Sequence, residues 1–315
     1  MKKVFITGGS GTVGINFIEF NLNKYKIYSY SRNEKAQVAL KRAYPRVEII
    51  LGSVEDRLNL ENVITKIKPD IIIHTAALKH VDSAEKQPLE MVKSNIIGSK
   101  NIIDLSKLLN VPITIGISTD KACNPTNLYG YSKSIMEKMF VEANNEKNIF
   151  CCTRFGNVVG SNGSVIPFWL NCKKQNKPLP LTSETMTRLM INGKEVANLI
   201  EKCILEAEKK SGGFVLSKFM KKVEMNQLAK QISKKIEIIG LRPGEELDEN
   251  LISYKELRYT RVEKDFIFIE NKENPNNKSQ LKKPLSSKNA EKMSLSELKD
   301  LIKSVQDKMT NTLNY

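Results

Sequence analysis

The sequence predicts an α/β fold: a doubly wound, mostly parallel sheet with a smaller C-terminal subdomain. Three observations predict it. Short apolar runs of strand length alternate with helix-length stretches through the first half of the chain. A glycine-rich turn, Gly8-Gly9-Ser10-Gly11-Thr12-Val13-Gly14, directly follows the first apolar run. Ile71-Ile72-Ile73-His74 is continuously apolar up to its last residue, as a strand buried on both faces requires.

Taken in order, Val4–Thr7 reads as a strand and Thr12–Leu22 as a helix. Tyr25–Tyr30 and Val47–Leu51 are strands flanking a helix over Lys35–Ala43. Leu58–Ile67 is a helix that stops before Pro69, and Ile71–His74 is the next strand. One long helix is expected from Pro88 to Asn110, then a strand over Ile113–Ser118. Another helix starts near Tyr129, and Phe150–Arg154 is a sixth strand. Beyond this the rhythm breaks. Val165–Asn176, Glu195–Glu208 and Met225–Ile236 read as helices, Gly213–Leu216 and Glu237–Gly240 as strands. Asn271–Lys283 is a polar linker, and Ser294–Val305 is a last helix opened by a Ser294/Glu297 capping box. The expected division is a dinucleotide-binding domain over 1–163 with about 190–223, and a substrate lid over about 164–189 and 224–315.

Composition narrows the function. The 50 basic and 35 acidic side chains give a net charge of +15, but the Lys residues are scattered and no basic block is interleaved with aromatics. Nucleic acid is therefore not an expected partner. No apolar run approaches the roughly 18–20 residues that span a bilayer, so no membrane association is expected. Met1-Lys2-Lys3 runs straight into the first strand, so no secretory signal is expected and a cytoplasmic location is. With two histidines and no repeating cysteine spacing, no metal site is expected.

The glycines at 8, 11 and 14 allow a tight turn and a close backbone approach to a pyrophosphate, which then meets a helix N-terminus. This is a Rossmann-type arrangement. At the end of the second strand, Ser31 and Arg32 suit a ribose 2′-phosphate and favour NADP. Glu34 keeps NAD open. Tyr129 and Lys133 are four apart on one helical face, downstream of Ser118-Thr119-Asp120-Lys121 at a strand end. A Lys beside a Tyr is expected to lower the phenol pKa.

These residues resemble those of the extended short-chain dehydrogenase/reductases. Residues 118–133, Ser-Thr-Asp-Lys-Ala-Cys-Asn-Pro-Thr-Asn-Leu-Tyr-Gly-Tyr-Ser-Lys, resemble more specifically the soluble 5-inverting UDP-N-acetylglucosamine 4,6-dehydratases. So do Ala76–Val81, Arg154–Ser161, Met186–Arg188 and Gly240–Glu245. The resemblance implies a bound, recycled NADP, a UDP-sugar substrate and a homo-oligomer. It implies a catalytic set of Thr119, Asp120, Lys121, Tyr129 and Lys133, with Lys121 as base at the 5-position and Asp120 as acid. It implies cofactor contacts from Gly8, Ser10, Gly11, Thr12, Val13, Gly14, Ser31, Arg32, Ser53, Val54, Thr75, Ala76, Ala77, Lys79 and Val158, besides Tyr129 and Lys133. It implies substrate contacts from Lys79, His80, Asn157, Val165, Thr182, Arg188, Arg242 and Glu245. Ser53, Asn162, Glu246 and Leu285 depart from the family pattern. A 4-epimerase, a retaining 4,6-dehydratase or a non-catalytic NADP-binding regulator on the same fold are the alternatives.

Overall fold

A computed structural model describes residues 1–161, 163–274 and 280–312. Asn162 and the 275–279 part of the expected linker lie outside the described residues. At the centre is a nine-stranded sheet. Edge to edge its strands are Thr260–Glu263, Phe266–Glu270, Phe214–Lys218, Ile149–Thr153, Ile113–Ile117, Ile71–His74, Lys2–Thr7, Tyr25–Ser31 and Glu48–Leu51. All strands from Phe214–Lys218 to Glu48–Leu51 pair in parallel, and the other two pair antiparallel. The chain runs from Lys2–Thr7 outward to Glu48–Leu51, then returns to place Ile71–His74 on the other side of the first strand. This reversal opens a crevice at the carboxyl ends of the strands, where ligands bind in such sheets.

Apolar residues on both faces explain the parallel centre. Val4, Phe5, Ile6, Ile27, Ile71, Ile72, Ile73 and Ile115 are all fully buried. Polar caps fix the helices around it. Asn33 accepts from Ala36 N, Asp56 from Asn59 N and Asn127 from Gly130 N, starting the helices Glu34–Ala43, Arg57–Ile67 and Leu128–Ala143. Gly193–Glu208 opens with an Asn192/Glu195 capping box.

The structure departs from the sequence reading in several places. The expected Pro88–Asn110 helix is Pro88–Met91, a wider π segment over Val92–Ile97, and Gly98–Leu108. The Met225 helix ends at Ile232, because Ser233 is extended and Ile236–Ile238 instead pairs with Leu179–Leu181. Thr260–Glu263 and Phe266–Glu270 lie in the range expected for the lid, yet they extend the main sheet through Phe214–Lys218. Their pairing buries Ile267 and Phe268 completely.

The region expected to form the lid has its own apolar cluster, built from Ile166, Trp169 and Leu170, Leu179 and Leu181, Met225 and Leu228, and Leu298 and Ile302. The final helix, Leu295–Thr312, packs on it and is longer than expected. Among the described residues no helix is long and apolar enough to cross a membrane.

Candidate active site

The glycine turn sits at the crevice. Gly8 has φ +70, and a Cβ there would lie 2.7 Å from Thr75 Oγ1 and 2.8 Å from Ala76 N. Only glycine fits. Gly11 precedes the Thr12–Asn21 helix and has no side chain to cap its first N–H groups, and no acidic residue stands in the first turn. That leaves a helix N-terminus suited to an anion. Gly14 serves packing instead: a Cβ there would be 2.5 Å from Gly9 O.

A cleft of about 540 Å³ opens over this turn. Its walls carry Gly8, Ser10, Gly11, Thr12 and Val13 from the turn, and Ser31 and Arg32 from the second strand. Ser53, Val54, Thr75, Ala76, Ala77 and Lys79 complete the expected cofactor side, with Val158 opposite. Glycines whose Cβ positions are already filled, beside an uncapped helix end in a cleft of this size, fit a dinucleotide. Arg32 is 57% exposed, with Nη1 3.6 Å from Glu55 Oε1. Glu34 begins the next helix and is not on the cleft wall. Tyr30, Gly52 and Ser94 are on the wall and went unread in the sequence.

Lys133 is buried, and its Nζ donates to the Ile117 carbonyl at 2.7 Å. Burial pulls its pKa down to about 8, against the opposing pull of Cys152 and Glu137. The Tyr129 phenol differs from expectation. Burial pushes it up to about 12, while the Lys121 charge and a hydrogen bond with Thr119 pull it down and Asp120 pushes it up. The cation acting on the phenol is thus Lys121, and Lys133 is engaged with the strand end.

Asp120 and Lys121 form a tight turn capped by Thr119 at the end of Ile113–Ile117. Asp120 is 1% exposed, so the pair is no surface ion pair. Its Oδ1 accepts from Thr119 Oγ1 at 2.9 Å and from Lys121 Nζ at 3.3 Å. Its Oδ2 has no hydrogen-bond partner among the described residues. Lys121 Nζ also lies 2.9 Å from Glu249 Oε1, and Glu249 is itself buried. Burial acts against the Lys121 ammonium, but Asp120 and Glu249 outweigh it and hold its pKa above the ordinary value, with Arg188 opposing. Sequence reasoning missed Glu249. A buried ammonium needing a second carboxylate was the signal that could have found it.

The expected substrate contacts divide. Lys79, His80 and Asn157 line the cleft. Arg188 does not: it is 7% exposed, and its guanidinium donates to the carbonyls of Thr187, Glu246 and Leu247. It fastens the loop that leads to Glu249. Arg242 pairs with Glu245 at 3.0 Å, and Thr182 Oγ1 donates to the same carboxylate at 3.3 Å, off the cleft wall. Asn127 Nδ2 donates to Gly244 O at 2.9 Å, tying this loop to the start of the Tyr129 helix. Val165 opens the Val165–Lys174 helix behind Ser164, which lines the cleft with its Oγ unpartnered among the described residues.

The π segment also serves the site. Its Asn95 accepts from Leu78 N at 2.8 Å and donates to Leu78 O at 2.9 Å and to Ser132 Oγ at 3.0 Å. It joins the cleft wall at Leu78 to the helix that carries Tyr129 and Lys133. Wide turns of this kind often mark functional sites.

The chain is similar to known proteins. Residues 4–272 match the model of a family described as polysaccharide biosynthesis protein. A UDP-N-acetylglucosamine 4,6-dehydratase (inverting) from Campylobacter jejuni is 37% identical over 264 residues, covering 80% of this chain and 78% of the relative. A UDP-glucose 4-epimerase from Rickettsia bellii is 31% identical and covers 98% of both chains. Among solved structures, Pen from Bacillus thuringiensis superposes with a TM-score of 0.87 at 29% identity, covering 97% of this chain and 98% of that one. The glycine turn, the Tyr129/Lys133 helix and these matches together place the chain in the polysaccharide biosynthesis protein family, within the extended short-chain dehydrogenase/reductase superfamily.

Proposed function

We propose that the protein is a UDP-N-acetylglucosamine 4,6-dehydratase that inverts the 5-position, with NADP as its recycled cofactor. The observation that carries the reading is Lys121 and Tyr129 together on the cleft wall, with the buried Asp120 paired to Lys121. Exchange at the 4-position alone needs one group to move the hydroxyl proton. Elimination of water across the 5- and 6-positions needs a further base and a further acid.

A bound nicotinamide supplies the hydride acceptor and donor. The chain supplies the proton handling. Tyr129 takes the 4-hydroxyl proton, with Thr119 and Lys121 favouring the phenolate. The ketone that results acidifies the 5-position. Lys121 removes that proton, and Asp120, after taking a proton from solvent, delivers it to the departing 6-hydroxyl. Reprotonation of the 5-position from the opposite face gives inversion. Lys133 braces the Ile117 strand end under these groups. Ser164 and Asn157, both on the cleft wall, suit the nucleotide diphosphate and the sugar. Ser31 and Arg32 on the wall, with Glu34 off it, support NADP over NAD. Leu89, Ile97, Tyr131 and Ile135, exposed on helices flanking the sheet, support a homo-oligomer.

The Rickettsia relative supports 4-epimerisation as a second reading. One experiment separates the two. UDP-N-acetylglucosamine is incubated with the protein and NADP in heavy water and followed by NMR. A 6-deoxy-4-keto product of L-configuration with deuterium at the 5-position is expected, and Lys121→Ala abolishes it. An intact 6-hydroxymethyl group with a changed 4-configuration, insensitive to Lys121→Ala, refutes the dehydratase.

A further inference from the structure

Lys121 cannot act as a base while it is an ammonium, because an ammonium has donors and no acceptor. It lies between two carboxylates, which favour that charged form. Something must take its proton before the 5-position is attacked. Asp120 is committed to the 6-hydroxyl in the reading above. The remaining acceptor in contact is Glu249, whose Oε1 is 2.9 Å from Lys121 Nζ.

A second observation points the same way. Behind this pair is a small polar pocket of about 150 Å³, lined by Lys121, Glu249, Asp248, Asn250, Asn127 and Thr126 among others. Lys121 lines both this pocket and the main cleft. The amine therefore faces the cleft on one side, and its carboxylate partner faces a compartment large enough for several waters on the other. We propose that Glu249 resets Lys121, taking the ammonium proton across their direct contact and passing it to water in the small pocket. This rests on the dehydratase reading. Glu249 acts through Lys121 and is a positioning residue in that sense.

The proton count closes. The Lys121 N–H proton moves to Glu249 Oε1, which leaves a neutral amine and a neutral carboxyl. The bond from the 5-carbon to its hydrogen breaks, its electron pair moves toward the 4-ketone, and its proton goes to Lys121. The Glu249 proton leaves to water, which returns this pair to its starting state, and the proton that Asp120 gives to the 6-hydroxyl and the one that enters at the 5-position are both drawn from solvent. The titratable and charged groups facing the pair are Asp120 from the same turn as Lys121, Tyr129 from the Leu128–Ala143 helix, Arg188 from the Thr187–Ile191 strand, and Cys123, Glu246 and Asp248 on the wall of the small pocket. Burial raises the Glu249 carboxyl above its ordinary pKa, with Lys121 and Arg188 opposing and Asp120 adding to the rise. Exchanging a buried ion pair for a buried neutral pair also relieves desolvation.

The test is the pH dependence of 5-deuterated product formation from UDP-N-acetylglucosamine in heavy water, for the native chain, Glu249→Gln and Glu249→Asp. In the native chain the activating transfer moves the proton from Lys121 to Glu249 without exchange with bulk water, so that transfer adds no slope to the rate between about pH 6 and 8. In E249Q the amine must lose its proton to bulk water, so the rate climbs about tenfold per pH unit over that range, with KM within about twofold of native. E249D keeps a carboxyl and restores the flat profile at a reduced rate. An E249Q profile that is flat, at the native rate or uniformly slow, overturns the inference and leaves the dehydratase reading standing. If E249Q does not fold, E249D decides: a tenfold-per-unit slope in that variant overturns the proposal. If the native chain forms no 4-keto product, the dehydratase reading falls and the inference falls with it.

Discussion

The Lys2–Thr7 strand and the Thr187–Ile191 strand are both buried, but their surroundings differ. Val4, Phe5 and Ile6 meet Ile27 and Ile71–Ile73 through the parallel sheet, and every one of these is fully buried and apolar. Thr187 and Arg188 meet polar groups. Thr187 Oγ1 contacts Asp248 and Ser287, and Arg188 is enclosed by three carbonyls. The cofactor half is held by burial that has no preferred direction. The Thr187–Arg188 end of the other strand is held by directional contacts to segments far apart in the chain. Directional contacts place a functional group accurately and fail abruptly when one partner is removed.

The seam between the halves is the place to break this contrast. Arg154 is 3% exposed and donates to both oxygens of Glu137, at 2.9 and 2.6 Å, to Glu256 Oε1 at 2.9 Å and to the Leu251 carbonyl at 3.0 Å. Arg154→Met leaves the buried Glu137 carboxylate facing the half-buried Glu256 carboxylate with no cation between them. It should cost about 3–5 kcal/mol. Ile72→Val at the sheet centre should cost only about 0.5–1.5 kcal/mol. Urea denaturation of both variants checks the pair. Equal losses would mean that the seam is no more brittle than the core.

The same contrast explains what was legible in the sequence. Apolar runs and glycine turns are local signals, so the parallel strands, the crevice and its cofactor wall could be read. Tyr129 and Lys133 were legible because four residues on a helix is one face. Glu249 was not, because its value comes from meeting Lys121 across the fold. The resemblance implies Arg188 as a substrate contact, whereas its position depends on carbonyls that no local pattern reveals. The π segment hid inside a helical period, since one widened turn leaves the apolar spacing nearly intact. Phe266–Glu270 is an apolar alternating run, and only its pairing with Phe214–Lys218 assigns it to the main sheet.

A subtler test uses pH. Burial would raise the Glu256 carboxyl, but Arg154 and hydrogen bonds from Ser253 outweigh it and hold its pKa at about 2. A carboxyl depressed on folding stabilises the native state above its unfolded pKa, and that contribution is lost as pH falls toward the folded value. Glu256→Gln should therefore be less stable than native by about 2–3 kcal/mol at pH 7. The gap should narrow between about pH 4.5 and 2. Thermal or urea unfolding across that window measures it. A gap independent of pH would assign Glu256 to packing instead of charge.

The smallest expected effect lies in the cofactor half, where its behaviour should resemble the lid. Arg32 is 57% exposed, and its nearest carboxylate, Glu55, is 3.6 Å away. An exposed pair of this kind contributes about 0–1 kcal/mol, so Arg32→Ala should leave the melting temperature nearly unchanged. Binding is another matter. If the guanidinium forks onto a ribose 2′-phosphate, its loss should weaken NADP about tenfold or more and leave NAD within about twofold. Calorimetric titration with each dinucleotide gives the two numbers. An equal loss for both would mean that Arg32 shapes the turn after Tyr25–Ser31 for any dinucleotide. No loss for either would place phosphate recognition elsewhere and remove the argument for NADP. A selective loss would show one directional contact, mounted on an apolar frame that needs none, choosing between cofactors that differ by a single phosphate.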